Sequence, residues 1–186
     1  GAGRSDLVDC LAGARPQATG SIWLNGESVS STTISGRIKS GFVLIPEDRQ
    51  RFGLVPTLSV SHNMLLASLQ KYLKGILLAN KKEKSATNSK IKDLSIRVAD
   101  PQQLITSLSG GNQQKVVVAK GLLTEPKVLL LDEPTRGIDV GAKSEIFEIM
   151  NRLAAQNYGV IFVSSELKEV LAMSDRILVM SKGLIS

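Results

Sequence analysis

The chain has 186 residues, of which 42% are apolar, and this is enough for one domain with a single hydrophobic core. Its 23 Lys and Arg outnumber 17 Asp and Glu, but many of the lysines lie between Lys71 and Lys92 without interleaved aromatic residues, which argues against a nucleic-acid-binding protein. No apolar stretch approaches the roughly 20 residues that cross a bilayer, so a soluble chain is expected, and the single Cys10 excludes an internal disulfide.

Residues 1–58 are predicted to contain one short helix and two strands. Apolar residues at positions 7, 8, 10 and 11 indicate a helix that ends at Gly13. The apolar segments 22–24 and Phe42–Ile45 are predicted to be strands. Asn25-Gly26 follows the first of them and predicts a turn, because both residues tolerate positive φ.

Residues 59–107 are predicted to be mostly helical. Ser59 or Ser61 can cap a first helix, and a second helix is expected at about 91–98, after a lysine-rich stretch with less pattern. Asp100-Pro101 marks a break in the chain. The single histidine, His62, is expected at the surface near the start of the first helix.

Residues 108–186 alternate between helical and strand patterns. The predicted helices cover 113–123, 142–155 and Leu167–Met173, and the predicted strands cover 128–131, 160–163 and 177–180. Alternation of this kind predicts a parallel sheet with right-handed crossovers, which is an α/β fold.

Two strings of residues in this last region carry the clearest chemistry. The string Leu108-Ser109-Gly110-Gly111-Asn112-Gln113-Gln114 places a helix-capping serine and two glycines before a helix, where free backbone N–H groups can approach a phosphate. The string 128–135 is an apolar run, suited to a strand buried on both faces, that leads into Asp132 and Glu133. An anion cradle and a carboxylate pair at a strand end are two parts of a nucleotide-hydrolysing site.

This pair of strings resembles the ABC ATPases, whose signature motif is LSGGQ and whose Walker B motif is four apolar residues followed by Asp-Glu. The resemblance implies a P-loop NTPase fold, with a RecA-like parallel sheet core and an inserted helical subdomain. It also implies ATP and Mg²⁺ as ligands. Residues 1–186 would then form a single ABC ATP-binding domain, with the P-loop and first part of the core in 1–58, the helical subdomain in 59–107, and the signature, Walker B and the rest of the core in 108–186.

Under this resemblance the opening residues match the end of a P-loop. Gly1 and Gly3 fall on the fourth position and the second glycine of G-x-x-x-x-G-K-[ST], Arg4 takes the place of the lysine, and Ser5 takes that of the magnesium-binding hydroxyl. The first glycine and the strand before it would lie upstream of Gly1, so the chain is expected to be a fragment. The expected phosphate-binding residues are Gly1, Ala2, Gly3, Arg4, Ser5 and Asp6.

The other site residues follow from the same resemblance. Asp132 would hold Mg²⁺ together with Ser5, and Glu133 stands at the position of the general base that polarises the attacking water. Residues 134–139 match the D-loop of the family and end in Asp139, its communicating aspartate. The residues expected to close over a nucleotide held by a partner's P-loop are Ser109, Gly110, Gly111 and Gln113.

Three positions depart from the family pattern. The planar fork of Arg4 cannot reproduce the compact ammonium of a lysine. Glu47 lies in the Q-loop place, where active families usually have a glutamine in contact with magnesium and the attacking water, although a surface turn begun by Pro46 accounts equally well for this segment taken alone. Ser165 replaces the histidine that contacts the γ-phosphate, in the switch loop (residues 164–166) after the strand 160–163.

The intact strings and these departures together resemble the second ATP-binding half of tandem bacterial sugar-importer ATPases of the ribose, galactose and xylose type. In that family one polypeptide carries two ABC halves, at the cytoplasmic face of the inner membrane. The halves sit under transmembrane permease subunits, which a periplasmic sugar-binding protein feeds. The resemblance implies that this half binds ATP, hydrolyses it poorly at its own site and lends its signature loop to the first half.

Two alternatives stay open from the sequence. One is a soluble ABC ATPase of translation or DNA repair, which would share the signature and Walker B strings but is not expected to combine the departures at Glu47 and Ser165. The other is a structural half that binds no nucleotide. No nucleic-acid partner is expected in the sugar-importer interpretation.

Overall fold

The computed structural model describes residues 2–16, 19–30, 33–74, 77–78 and 80–185. The elements of its first part, in chain order, are helix α1 (Arg4–Ala12), strands β1 (Trp23–Leu24) and β2 (Glu27–Ser28), helix α2 (Ile34–Lys39), strand β3 (Phe42–Ile45) and a π-helical segment (Arg49–Gly53). The predicted end of α1 at Gly13 is confirmed, because Gly13 adopts φ 73° and caps the helix. Asn25 and Gly26 form the predicted turn at φ 53° and 81°. Helix α2, capped by the Thr33 side chain, was not predicted.

The middle of the chain is helical with one short hairpin. Its elements are α3 (Val60–Leu65), a 3₁₀ segment (Leu66–Tyr72), strands β4 (Leu73–Lys74) and β5 (Leu77–Leu78), helix α4 (Asn80–Asp93) and a 3₁₀ turn (Ile105–Ser107). Ser59 caps α3 by accepting from the His62 N–H, and His62 is exposed, as expected. The prediction of a helix over 91–98 was wrong: the lysine-rich stretch itself is helical, and the helix stops at Asp93 before Ser95 takes a left-handed φ of 50°.

The last part of the chain carries the predicted alternation. Its elements are α5 (Gly110–Leu122), β6 (Val128–Asp132), α6 (Val140–Ala155), β7 (Gly159–Val163), α7 (Leu167–Met173), β8 (Met180–Ser181) and β9 (Leu184–Ile185). The strand predicted over 177–180 was wrong, because only Met180 is extended there and it pairs in a small hairpin with β9. None of the helices in the described residues has the length and apolar character needed to cross a bilayer.

A parallel sheet in the order β3-β6-β7 forms the centre of the fold. Phe42 lies opposite Val128, and Val128 lies opposite Gly159 in the next strand. All five residues of β6 are buried, which agrees with a central strand covered on both faces. The three strands run in the same direction, so their carboxyl ends meet at one edge, where parallel α/β folds bind ligands.

Helices cover both faces of this sheet because alternate residues of its strands point to opposite sides. Val43, Ile45, Leu129 and Leu131 join a large apolar cluster with α3, α5 and α6, whereas Phe42, Val128 and Leu130 join a smaller one with α1. The sheet is therefore the middle of three layers, and its carboxyl edge is held rigidly between them. This architecture confirms the predicted α/β fold with a parallel sheet at its core.

Candidate functional site

A pair of carboxylates lies where β6 ends. Asp132 is the last residue of the strand and is only 5% exposed. Burial raises the pKa of its carboxyl, a hydrogen bond from Ser5 opposes the shift, and the neighbouring Glu133 adds to it. Its Oδ1 is buried without a hydrogen-bond partner among the described residues. A buried carboxylate oxygen with an unused lone pair, next to a serine hydroxyl, fits a hard divalent cation such as Mg²⁺.

Glu133 is held in a strained backbone conformation that aims its side chain at the switch loop. It adopts φ 46°, in the left-handed region that residues with a side chain rarely occupy. Its N–H donates to the Val163 carbonyl at 2.9 Å, which extends the contact between β6 and β7 by one residue. The Ser165 hydroxyl then donates to the Glu133 carboxylate at 3.2 Å. The two predicted catalytic residues are thus in direct contact.

The P-loop residues that the structure describes lie beside this pair; Gly1 is outside the described residues. Gly3 adopts φ 90° at the start of α1, and the Ala2 carbonyl accepts from the Gly183 N–H. Arg4 donates from Nη1 to the Ser164 carbonyl at 2.6 Å, so its guanidinium binds the switch-loop backbone. Asp6 forms an exposed ion pair with Arg15, at 2.7 Å between Oδ1 and Nη1.

A cleft of about 660 Å³ opens between these loops. Glu47 lines it and forms an ion pair with Arg136, a residue of the D-loop, so its carboxylate is neutralised within the chain. The other lining residues include Arg4, Ser5, Glu133, Thr135, Gly137, Ile138, Lys143, Ser165 and Glu166. The structure therefore brings the predicted P-loop, Q-loop, Walker B and switch residues together around one cavity.

A buried polar cluster supports the floor of the cleft, and sequence reasoning missed it. The carboxylate of Glu169 on α7 accepts from the Ser164 hydroxyl at 2.6 Å, from the Thr135 hydroxyl at 2.9 Å and from Lys143 Nζ at 3.0 Å. Lys143 also donates to Glu166 at 2.5 Å. One carboxylate therefore ties the D-loop, the switch loop and α6 together. Glu169 lies five residues after Ser164 and 34 after Thr135, and no local pattern predicts that meeting.

The electrostatics of this cluster favour its ionised form. Burial of Glu169 opposes ionisation, but the hydrogen bonds from Ser164, Lys143 and Thr135 outweigh it and leave the pKa of the Glu169 carboxyl below its ordinary value. Hydrogen bonds to Glu166 and Glu169 raise the pKa of Lys143. At neutral pH the Glu169 carboxylate is therefore ionised and paired with Lys143, with the Ser164 and Thr135 hydroxyls as additional neutral donors.

The signature loop (residues 108–112), which the structure describes in full, contributes no residue to the lining of the cleft. Ser109 occupies the cap position of α5, but its hydroxyl accepts from the Asn112 side chain at 3.0 Å instead of capping a backbone N–H. Asn112 in turn accepts from the Arg97 N–H, which ties the loop to the end of the helical region. Within the described residues, Ser109, Gly110 and Gly111 are absent from the lining of the cleft.

Two further predicted ligand residues have partners inside the chain. Gln113 is buried, accepts from the Gln50 amide at 2.5 Å and donates to the Ile105 carbonyl at 3.3 Å. Asp139 accepts from the Ala142 N–H at 2.9 Å and so caps α6. Both side chains position the start of a helix in this structure.

The site combines three features expected of an ABC ATP-binding domain: a helix that begins after a glycine, a strand that ends in a buried aspartate, and a second helix with a glycine-rich start. The sequence profile of the ABC transporter family matches residues 1–136. The chain belongs to this family.

Individual relatives sharpen the comparison. The chain is 50% identical to the xylose import ATP-binding protein XylG of Pseudomonas savastanoi pv. phaseolicola. The match extends over 184 residues, which are 98% of this chain and 36% of that protein. The corresponding XylG of Burkholderia cenocepacia is 47% identical over the same share of each chain. The chain thus spans about a third of the length of these curated relatives.

Solved structures support the fold. The ATP-binding cassette MJ0796, in a dimeric post-hydrolysis state bound to ADP and Pi, matches with a TM-score of 0.81 at 20% identity, over 99% of this chain and 78% of that one. The ADP conformation of the cassette MJ1267 matches with a TM-score of 0.83 at 22% identity, over 100% of this chain and 74% of that one. At these identities the likeness establishes the cassette fold.

Proposed function

We propose that this chain is the second ATP-binding half of a tandem sugar-importer ATPase, and that it binds MgATP in the cleft at the carboxyl edge of its sheet. The observation that carries the proposal is the unpartnered, buried Oδ1 of Asp132 beside the Ser5 hydroxyl. Ser5 and Asp132 would hold Mg²⁺, which usually takes one or two protein ligands and completes its shell with phosphate and water. The bound ion would neutralise charge on the phosphates.

Within this proposal, the site of this half hydrolyses ATP slowly because the side chains of Arg4 and Glu47 are bonded to other parts of the chain. Arg4 donates to the Ser164 carbonyl, and Glu47 pairs with Arg136. The Ser165 hydroxyl donates to Glu133. A histidine at this position would place a larger polar group, an imidazole, against the γ-phosphate. Glu133 remains placed to polarise a water, but three of the expected helpers are altered.

The signature loop would serve the other half. It lies outside the lining of this chain's cleft, and the first N–H groups of α5 carry no side-chain cap from Ser109. The start of a helix attracts phosphate through those N–H groups and the helix dipole. We therefore assign Ser109–Gly111 to the nucleotide held by the first ABC half of the same polypeptide.

The proposal extends to partners and place. The relatives are named as xylose import ATP-binding proteins, which supports a pentose or related sugar as the transported solute of the assembled importer. The tandem protein would bind transmembrane permease subunits at the cytoplasmic face of the bacterial inner membrane and receive sugar indirectly from a periplasmic binding protein. In this scheme the permease and binding protein choose the sugar.

Magnesium-dependent binding tests the ligand. In the full-length tandem protein, equilibrium dialysis with labelled ATP should find two sites per polypeptide with Mg²⁺. The Asp132→Asn substitution should weaken the site in this half by about 10- to 100-fold, because it removes a charged partner that contributes roughly 1.5–3 kcal/mol. The exposed Asp175→Asn change is the matched control and should leave both sites intact. Two unchanged sites in Asp132→Asn would contradict the proposed magnesium ligand.

Steady-state ATP turnover tests the asymmetry. Ser109→Arg in the tandem protein should lower turnover by about 100-fold or more, because a bulky cation at the start of α5 removes donors from the competent site. Glu133→Gln should retain at least about half of the activity, since it alters the weak site. Thr106→Arg, exposed three residues upstream, is the control for a new arginine in this segment. Loss of turnover in Glu133→Gln with retention in Ser109→Arg would overturn the assignment.

A further inference from the structure

The side chain of Arg49 donates two hydrogen bonds to the backbone of the D-loop. Its Nη1 donates to the Arg136 carbonyl at 3.0 Å and its Nη2 donates to the Gly137 carbonyl at 3.1 Å. The two acceptors belong to successive residues, and they match the two parallel N–H groups at the end of a guanidinium. The loop bends sharply at this point, where Gly137 adopts φ 66°.

The backbone around Arg49 is itself fixed. The Asp48 carboxylate accepts from the N–H groups of Gln50 and Arg51, at 3.1 and 3.0 Å from Oδ1, and so caps the π-helical segment that Arg49 begins. The guanidinium therefore projects from an anchored turn at the end of β3. Each residue of the string Glu47-Asp48-Arg49 thus has a partner elsewhere in the structure.

The same guanidinium lies against the signature loop. A Cβ added to Gly110 would come within 2.8 Å of the Arg49 Nη2 and within 3.3 Å of the Gly137 carbonyl oxygen. A side chain at position 110 would therefore displace the Arg49 guanidinium and crowd the Gly137 carbonyl. Three chain segments meet at one side chain.

We propose that Arg49 is a positioning residue that holds the signature loop and the D-loop in one fixed arrangement, so that both reach the partner half's nucleotide together. The inference rests on the proposed function, in which Ser109–Gly111 serve the first ABC half. Arg49 itself lies outside the lining of this chain's cleft and acts through the two loops that it joins.

Conservative replacement of Arg49 tests this role in the full-length tandem protein. Arg49→Lys keeps the charge but can satisfy the two carbonyls only as a point donor, and kcat should fall at least about tenfold with KM for ATP changed less than about twofold. Labelled-ATP dialysis should still find two sites. Arg51→Lys is the matched control, because Arg51 lies in the same turn, is exposed and stacks over Phe52 at 5.0 Å. Equal kcat values for Arg49→Lys and wild type would overturn the proposal.

A double-mutant cycle with Gly110 separates positioning from general damage. Gly110→Ala alone should lower kcat, since the new Cβ pushes against the guanidinium; combined with Arg49→Gln, which shortens the side chain, it should add less than about a twofold further loss. Independent, multiplicative losses would contradict the contact-based role. If Ser109→Arg retained turnover, the proposed function would fail, whereas the coupling between positions 49 and 110 would still appear in the thermal unfolding midpoints.

Discussion

Replacement of Glu169 by leucine is expected to lower the free energy of unfolding by about 3–5 kcal/mol, because it leaves the partners of a buried charge unpaired. Glu169 is 7% exposed, and its carboxylate accepts from Ser164, Thr135 and Lys143. Leucine has a similar volume, so the loss would arise from the orphaned donors rather than from a cavity. Urea unfolding of wild type and variant at pH 7 measures the difference.

The contribution of Glu169 to the free energy of unfolding should decrease as the pH falls. The folded-state pKa of Glu169 is lowered, so its ionisation stabilises the fold fully above the ordinary glutamate pKa of 4.5, and this stabilisation is lost as the pH falls through the lower folded value. The stability gap between wild type and Glu169→Gln should therefore be widest at neutral pH and should narrow below about pH 4.5. Urea midpoints across that range give the comparison.

A matched control distinguishes the cluster from carboxylates in general. Glu148 on α6 is exposed, and Glu148→Leu should change the unfolding free energy by less than about 0.5 kcal/mol at every pH. A Glu169→Leu variant as stable as wild type would show that the buried hydrogen bonds offset no more than the cost of burying the charge. Glu169→Leu should also lower ATP turnover, because the partners of Glu169 lie in the D-loop and the switch loop. Glu148→Leu should leave turnover unchanged.

Gly111→Ala is expected to destabilise the domain by about 1–3 kcal/mol, although the same change in an ordinary helix would stabilise it. Gly111 is buried in the first turn of α5, and a Cβ added there would overlap the Cβ of Ala142 in the first turn of α6. The steric cost in packed backbone exceeds the gain of roughly 0.5–1 kcal/mol in helix propensity. Thermal unfolding of the variant measures the sum of the two.

Ala142→Gly supplies the rescue. In the double variant the missing methyl group of Ala142 makes room for the new one, so the unfolding midpoint should recover toward that of Ala142→Gly alone, with a coupling energy of about 0.5–3 kcal/mol. Additive losses would show that overlap with the Ala142 methyl group is not the cause of the destabilisation. Gly111, the second glycine of the signature loop, is therefore required by the close contact between α5 and α6 as well as by any ligand.

The sequence predicted the parts of the fold that rest on local pattern. Strand Phe42–Ile45, helix Leu167–Met173 and the apolar run into Asp132 all appear where periodicity places them. Helix α4 was missed as such because its mean composition is polar and lysine-rich, and its stability comes from contacts with α3 rather than from a clear apolar stripe. Propensity alone does not show where a helix is packed.

The site was predictable as a set of residues but not as a set of contacts. Motif positions placed Arg4, Glu47 and Ser165 around one cleft, which the structure contains. The attachment of Arg4 to a backbone carbonyl 160 residues away, and that of Glu47 to Arg136, depend on how the loops converge at the sheet edge. No spacing rule within the chain encodes such convergence.

Arg4 and Arg49 each join two loops of this domain through main-chain oxygen atoms. Arg4 reaches the carbonyl of Ser164, and Arg49 reaches those of Arg136 and Gly137. A carbonyl is present whatever the side chain, so a substitution at residue 136, 137 or 164 does not by itself remove the acceptor of these links, provided that the local backbone keeps its course. Neither arginine is then expected to show a co-varying partner at those positions, and covariation among relatives would overlook both couplings.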